Sequence, residues 1–247
     1  MTKEIRVFGL EGIPEIEAGD DLPELIAAAA ERAGGLQDGD VLVVAQKVVS
    51  KSEGRVVRLE EISPSQRAIE LAGEADPRHV EVVLRESVRI VRERPPLLIG
   101  ETAHGFVCAS AGVDASNAKG EGTLVLLPLD PDASAGRLRN ALRERTGRNV
   151  GVIVSDSFGR PWRLGTTDVA LGVSGLTPLL DLRGRRDRAG YELQGTQIAV
   201  ADELASAAEL VLGKAREIPA AVIRGYGAKG EGSGRDLLMP PERDLFR

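Results

Sequence analysis

Cysteine occurs once and histidine twice in 247 residues, so no internal disulfide can form and the ligands for a zinc site of the usual kind are missing. Aromatic residues make up 3%, with one Trp and two Tyr, which leaves Ala, Val, Leu and Ile to build the core. No apolar run approaches the length of a membrane helix, about 20 residues. The opening Met-Thr-Lys-Glu leads straight into a strand pattern, without a charged and apolar leader. A cytoplasmic protein with no membrane partner is expected. Also missing are a Walker A sequence and a GxGxxG turn after the first strand, so the usual P-loop and Rossmann cofactor sites are disfavoured. A net charge of −6 argues against a general nucleic-acid binder.

What is present is ordinary globular material, 42% hydrophobic and 28% charged, enough for one large domain or two closely joined small ones. Strand patterns fall at Ile5–Leu10, Val41–Ala45, Leu97–Ile99, Phe106–Ala109, Leu124–Leu127 and Ala220–Ile223. Helix starts are marked at Asp20-Asp21, Ser63-Pro64, Asp76-Pro77 and Ser134, and Ala201–Leu212 is helical. The helix from Asp76 keeps apolar spacing through Val80, Val83, Leu84, Ser87, Val88 and Val91 and is expected to run to Pro95-Pro96. No long linker divides the chain. Strands and helices mix without βαβ regularity, which predicts an α+β fold: mixed, largely antiparallel sheets with flanking helices in two interleaved lobes over residues 1–247.

Chemistry is concentrated in two clusters. Gly151-Val152-Ile153-Val154 is a short apolar strand that stops at Ser155-Asp156-Ser157, and an upstream strand leads through Val113 into Asp114-Ala115-Ser116-Asn117. A carboxylate beside hydroxyls at a strand end is a set of hard oxygen ligands suited to Mg²⁺ or Mn²⁺, and such ions commonly clamp phosphate. Taken singly, each cluster also has the pattern of a turn or helix cap. Lys47 and Lys51, just past the Val41–Ala45 strand, could pair with phosphate or be ordinary surface lysines. The loop Gly213-Lys214-Ala215 and following residues has the same potential. Arg160, Arg163, Arg183, Arg185, Arg186 and Arg188 fit either an anion-binding island or a solvated loop. His104 reads as a hairpin residue and Cys108 as a core residue, so covalent catalysis is unsupported. The surviving picture is metal-assisted phosphoryl transfer.

The order of motifs carries a resemblance. Gly12-Ile13-Pro14-Glu15-Ile16, Asp38-Gly39-Asp40 with the apolar run after it, Val49-Ser50-Lys51-Ser52-Glu53-Gly54-Arg55, Gly112-Val113-Asp114-Ala115-Ser116-Asn117, Leu127-Pro128-Leu129-Asp130 and Ser155-Asp156-Ser157-Phe158-Gly159-Arg160 follow one another along nearly the whole chain. This order resembles the coenzyme F420:L-glutamate ligases, and also the ligase half of two-domain relatives that add a flavin-binding domain. The resemblance implies an α+β homodimer that uses GTP to join L-glutamate to the terminal carboxylate of F420-0. An acyl phosphate would form, GDP and phosphate would be released, and further γ-linked glutamates could follow. It implies Asp114, Asp156 and Ser157 as ligands of one or two Mg²⁺ or Mn²⁺ ions, and a potassium ion nearby. It implies that Ile13, Pro14, Glu15, Ile16, Gln46, Lys47, Lys51, Asn117, Gly213 and Lys214 line the GTP site. Two departures stand out. Lys214 lies in a loop where some members carry a carboxylate, and Gln46-Lys47 fills a pair where relatives can have small hydroxyl residues. Other readings are a metal-dependent phosphoryl enzyme or glutamyl ligase with a different acid acceptor, and a nucleotide-binding module without catalysis.

Overall fold

The computed structural model describes residues 4–116, 120–214 and 216–245. In chain order its elements are β1 (Arg6–Gly9), α1 (Leu22–Arg32), β2 (Val41–Ala45), α2 (Gln46–Ser52), β3 (Val56–Arg58), α3 (Gln66–Ala72), α4 (Pro77–Glu86), β4 (Ser87–Arg94), β5 (Leu97–Thr102), β6 (Val107–Ala109), β7 (Thr123–Val125), α5 (Pro131–Thr146), β8 (Gly151–Arg160), β9 (Arg163–Ser174), β10 (Leu179–Asp181), β11 (Gln197–Ala199), α6 (Val200–Leu212) and β12 (Ala220–Arg224). Several helix starts are written in the sequence. Asp21, Ser65, Asp76 and Asp130 each cap a helix with a side-chain oxygen that accepts from a first-turn amide, an arrangement worth about 1 kcal/mol apiece.

The central sheet runs β1-β12-β2-β8-β9. Only its β2–β8 pair is parallel; the other neighbours are antiparallel. Residue alternation splits the core into two layers. Leu42, Val44, Val152, Val154, Ala220 and Val222 face α1 and α5, while Val41, Val43, Ile153, Ala221 and Ile223 face α6. Strands buried on both faces read as unbroken apolar runs, which is why Val41–Ala45 and Gly151–Val154 were so legible. A second lobe is nested between α2 and α5. Its own core joins Leu71, Val80, Val83, Leu98 and Leu124 from α3, α4, β5 and β7 with Leu59 and Val113 from the connecting turns. The architecture is therefore α+β, with open and mostly antiparallel sheets. Among the described residues no helix is long and apolar enough to cross a membrane.

Three local expectations need correction. The helix from Asp76 stops at Glu86, and Ser87–Arg94 forms β4 in a hairpin with β5. Ser87 Oγ donates to the Val83 carbonyl 2.6 Å away, closing the last helical turn. The β-branched residues beyond it satisfy their backbone better against β5 than in a further helical turn. The strand through Val154 does not stop at Ser155 either. It continues to Arg160 and returns as β9, so Asp156 is mid-strand, paired in register with Val169. Asp114 also does not end a strand. It follows a turn in which Ser110, Ala111 and Gly112 all have positive φ (51°, 49° and 74°), and it forms an isolated bridge to Val125. A side chain at Gly112 would be strained by the positive φ and would displace the Leu127 side chain, which lies 2.7 Å from where a Cβ would stand.

Candidate active site

α2 begins directly after the last residue of β2 with no connecting loop, so Gln46, Lys47 and Lys51 are delivered at the C-terminal end of an interior strand of the central sheet. Beside them, β8 brings Ser155, Asp156 and Ser157, and β9 brings Asp168. These residues share a cavity of about 690 Å³ with Ile13, Pro14, Glu15 and Ile16 from the segment after β1, and with Gly213, Lys214, Glu217 and Pro219 from the loop between α6 and β12. Asp114 reaches the same place from the second lobe through Lys47, whose Nζ lies 2.8 Å from its carboxylate. Asn117 lies outside the described residues.

The electrostatics are uneven. Burial works to raise the Asp114 pKa, but the hydrogen bond and charge of Lys47 and the Ser116 amide, 2.6 Å from Oδ1, outweigh it and hold the carboxyl below its ordinary value. Asp156 goes the other way. Burial pushes it up to about 7, against the lowering effects of the Ser157 amide and the Lys47 charge, and the like charges of Asp168 and Asp114 add to the rise. A carboxylate so raised is poised to accept a cation. Asp156 and Asp114 carboxylates with the Ser157 hydroxyl form an all-oxygen donor set that suits a hard divalent ion. No cluster of three or more His, Cys, Asp or Glu side chains at ligating distances is present among the described residues, so a bound ion would have to complete its shell from Ser157, backbone, water or substrate oxygens.

Asp168 is the residue that sequence reading missed. It is 5% exposed and accepts from Ser155 Oγ (2.8 Å) and Ser157 Oγ (2.7 Å) across the β8–β9 pair. With its proton committed to Asp168, the Ser157 hydroxyl turns its lone pairs to its free side. Only knowledge that β8 and β9 are a register-fixed hairpin places the two serines opposite Asp168; taken as isolated text, Thr166-Thr167-Asp168 looks like a loop. Glu209 and Glu217 also border the cavity and were not singled out, and Glu217 adopts a positive φ of 56° in the loop that covers it. On the far wall Lys51 pairs with Glu15, joining α2 to the segment after β1. The Gln46 side chain is 1% exposed; its Oε1 accepts from Ser50 Oγ (2.8 Å) while its Nε2 meets no partner.

The remaining candidates sit elsewhere. His104 stacks on Phe106 at 5.6 Å and is held by the Pro128 carbonyl 2.9 Å from Nε2, a structural position. Burial pushes the Cys108 thiol up to about 12, and it packs against Phe106, Leu127 and Leu171 where the two lobes meet. The arginines from Arg183 to Arg188 are on an exposed loop, where Arg183 is tied to Asp181 and Arg186 to Glu192.

Comparison with known proteins agrees with this arrangement of motifs. The model of the F420-0:Gamma-glutamyl ligase family matches residues 12–225. The chain is 47% identical to the coenzyme F420:L-glutamate ligase of Methanothermobacter thermautotrophicus, over 98% of this chain and 99% of that protein. Enzymes of the same name from Methanopyrus kandleri and Methanocaldococcus jannaschii are 49% and 46% identical, each with at least 96% of both chains covered. With the match running through the β2–α2 junction, the Asp114 turn and the β8–β9 hairpin, the chain belongs to the F420-0:gamma-glutamyl ligase family.

Proposed function

We propose that the protein is a GTP-dependent ligase that joins L-glutamate to the terminal carboxylate of F420-0. The observation that carries this reading is the convergence of Asp156, Ser157, Lys47 and Lys51 on one cavity of about 690 Å³, with Asp114 held against Lys47, in a chain that matches the ligases end to end. A carboxylate is a poor electrophile and must be activated before an amine can displace its oxygen. Transfer of the γ-phosphoryl group does this: the bond from γ-phosphorus to its bridging oxygen breaks, a new bond to the carboxylate oxygen forms, and GDP leaves. The glutamate amine then attacks the acyl carbon, the C–N bond forms, phosphate departs with the acyl oxygen, and the amine proton passes to solvent.

The chain's own part in this is positioning and charge. Lys47 and Lys51 are cations on one short helix, and the apolar and backbone groups of Ile13–Ile16 and Gly213-Lys214 offer an orienting wall. A divalent ion, Mg²⁺ or Mn²⁺, held by Asp114, Asp156 and Ser157 would supply charge neutralisation at the phosphates. The family resemblance extends the expectation to a second ion, a potassium ion and a homodimer. Trp162 and Leu164, 81% and 97% exposed at the β8–β9 turn, supply apolar surface that a second copy would cover.

The test is mass spectrometry of F420-0 incubated with protein, L-glutamate, GTP and Mn²⁺, with GTP, metal or potassium omitted in turn. A product heavier by one or more glutamyl units that needs both GTP and metal is the expected result. GTP hydrolysis without glutamylation would assign a different acid acceptor, and neither reaction would overturn the proposal.

A further inference from the structure

Lys47 lies in an unusual position for a phosphate-binding lysine. Its side chain is 14% exposed, and its ammonium lies 2.8 Å from Asp114 Oδ2 and 2.6 Å from Ser116 Oγ, while the Ser116 amide closes back on Asp114 Oδ1. The result is a closed ring of carboxylate, ammonium, hydroxyl and amide that joins α2 to the second lobe. In it Asp114 already has a counter-ion, and a fixed cation stands beside the only carboxylate the second lobe brings here among the described residues. The field of Lys47 also reaches Asp156. Among the described residues Asp156 makes no such ion pair: the Ser157 amide and the charge of Lys47 favour its carboxylate, and the charges of Asp168 and Asp114 oppose it. The two carboxylates are thus unequal, one neutralised by the protein and the other left to a mobile ion.

We propose that the Lys47 ammonium is a built-in cation of this site, filling the Asp114 side so that the free protein takes a divalent ion from the Asp156 side alone. This rests on the reading of the cavity as a metal and phosphate site. A lysine in this role keeps positive charge where a phosphate chain would be drawn, without requiring a third carboxylate at ligating distance, which the described residues do not supply. It also fits Lys214, which carries an ammonium in the covering loop and cannot serve as a ligand while charged.

The experiment is direct Mn²⁺ titration without nucleotide, reading free Mn²⁺ by electron paramagnetic resonance, on wild type, Lys47→Met, Asp156→Asn and the double variant Lys47→Met/Asp114→Asn, with folding of each checked by circular dichroism. Wild type should bind a single Mn²⁺ per chain, and Asp156→Asn should abolish it. Lys47→Met should gain a further Mn²⁺ or bind about tenfold tighter, because a unit charge a few ångströms away has been removed. The gain should vanish when Asp114→Asn is added. Wild type binding two ions per chain, or Lys47→Met leaving number and affinity unchanged, would overturn the Lys47 assignment while the metal site stands. No Mn²⁺ binding by any variant would overturn this proposal and the metal reading beneath it together.

Discussion

Replacing Asp168 by Asn tests the architecture of the site without touching a proposed ligand. The carboxylate accepts two hydroxyl protons, from Ser155 at 2.8 Å and Ser157 at 2.7 Å. An amide has one carbonyl oxygen, so one serine must rotate and accept from the new NH₂ instead. If Ser157 rotates, its proton turns to the side where a lone pair is needed. If Ser155 rotates, a buried hydroxyl loses its acceptor, since Ser155 is 1% exposed. A hydrogen bond to a charged acceptor is worth about 1.5–3 kcal/mol, so a loss of about 2 kcal/mol is expected. For a chain of this size that lowers the melting temperature by about 4–8 °C. Removing a partner that orients a ligand typically weakens metal binding by about 10–100-fold, and loss of one negative charge beside Asp156 acts in the same direction. The assays are thermal unfolding, Mn²⁺ titration and the rate of glutamyl transfer. A variant that melts like wild type and binds Mn²⁺ with unchanged affinity would refute the role given to Asp168.

Three further outcomes are expected. Asp40 is 2% exposed, takes a two-pronged ion pair from Arg224 (3.0 and 2.8 Å) and accepts from the Gln37 amide, so Asp40→Asn should cost about 3 kcal/mol in denaturant unfolding because it leaves Arg224 without its charge partner. Asp156 holds its proton up to about 7 in the fold but only to about 4 when unfolded, so its contribution to stability is lost as pH rises between those values. In EDTA-treated protein, Asp156→Asn should therefore melt higher than wild type at pH 8 and similarly at pH 4; an equal difference at both pH values would contradict the shift. Cys108, with its thiol pushed up to about 12, should resist iodoacetamide at pH 8 in the folded protein and react in guanidinium.

How much could be read in advance depended on whether the information was local. Fully buried strands such as Val41–Ala45 are written as apolar runs, and helix caps such as Asp21 and Asp76 as single residues, so these elements are legible, whereas the helix expected from Ser134 begins one turn earlier, at Pro131 behind the Asp130 cap. β4 reads as helix because Val88 and Val91 continue the helical spacing of Leu84, while Val88 and Ile90 satisfy alternation equally, and only pairing with β5 decides between them. The β8 strand was cut short because Ser155, Asp156 and Ser157 are polar, yet polar residues facing a cavity do not end a strand whose backbone is paired. Asp156 and Lys47 were recognisable as chemistry-bearing residues beside apolar runs. Asp168 was not, because its meaning lies in two serines on the neighbouring strand, a relation set by hairpin register. The Lys47–Asp114 pair joins residues in different lobes and has no local signature.

The nesting of one lobe inside the other has a kinetic consequence. β2 and β8 are adjacent parallel strands at the centre of the sheet, yet residues 46–150 separate them along the chain. Closing so long a loop is entropically costly and slow for an open chain. The inserted lobe has a core contiguous in sequence, from Leu59 to Leu126, and can condense first, drawing its two ends together. Arg55 already spans those ends, accepting at its carbonyl from the Leu126 amide and donating from Nε to the Leu127 carbonyl. The second lobe thus acts as a splint for the sheet that surrounds it, and mutations in its core should slow formation of the β2–β8 pair although none of them touches it.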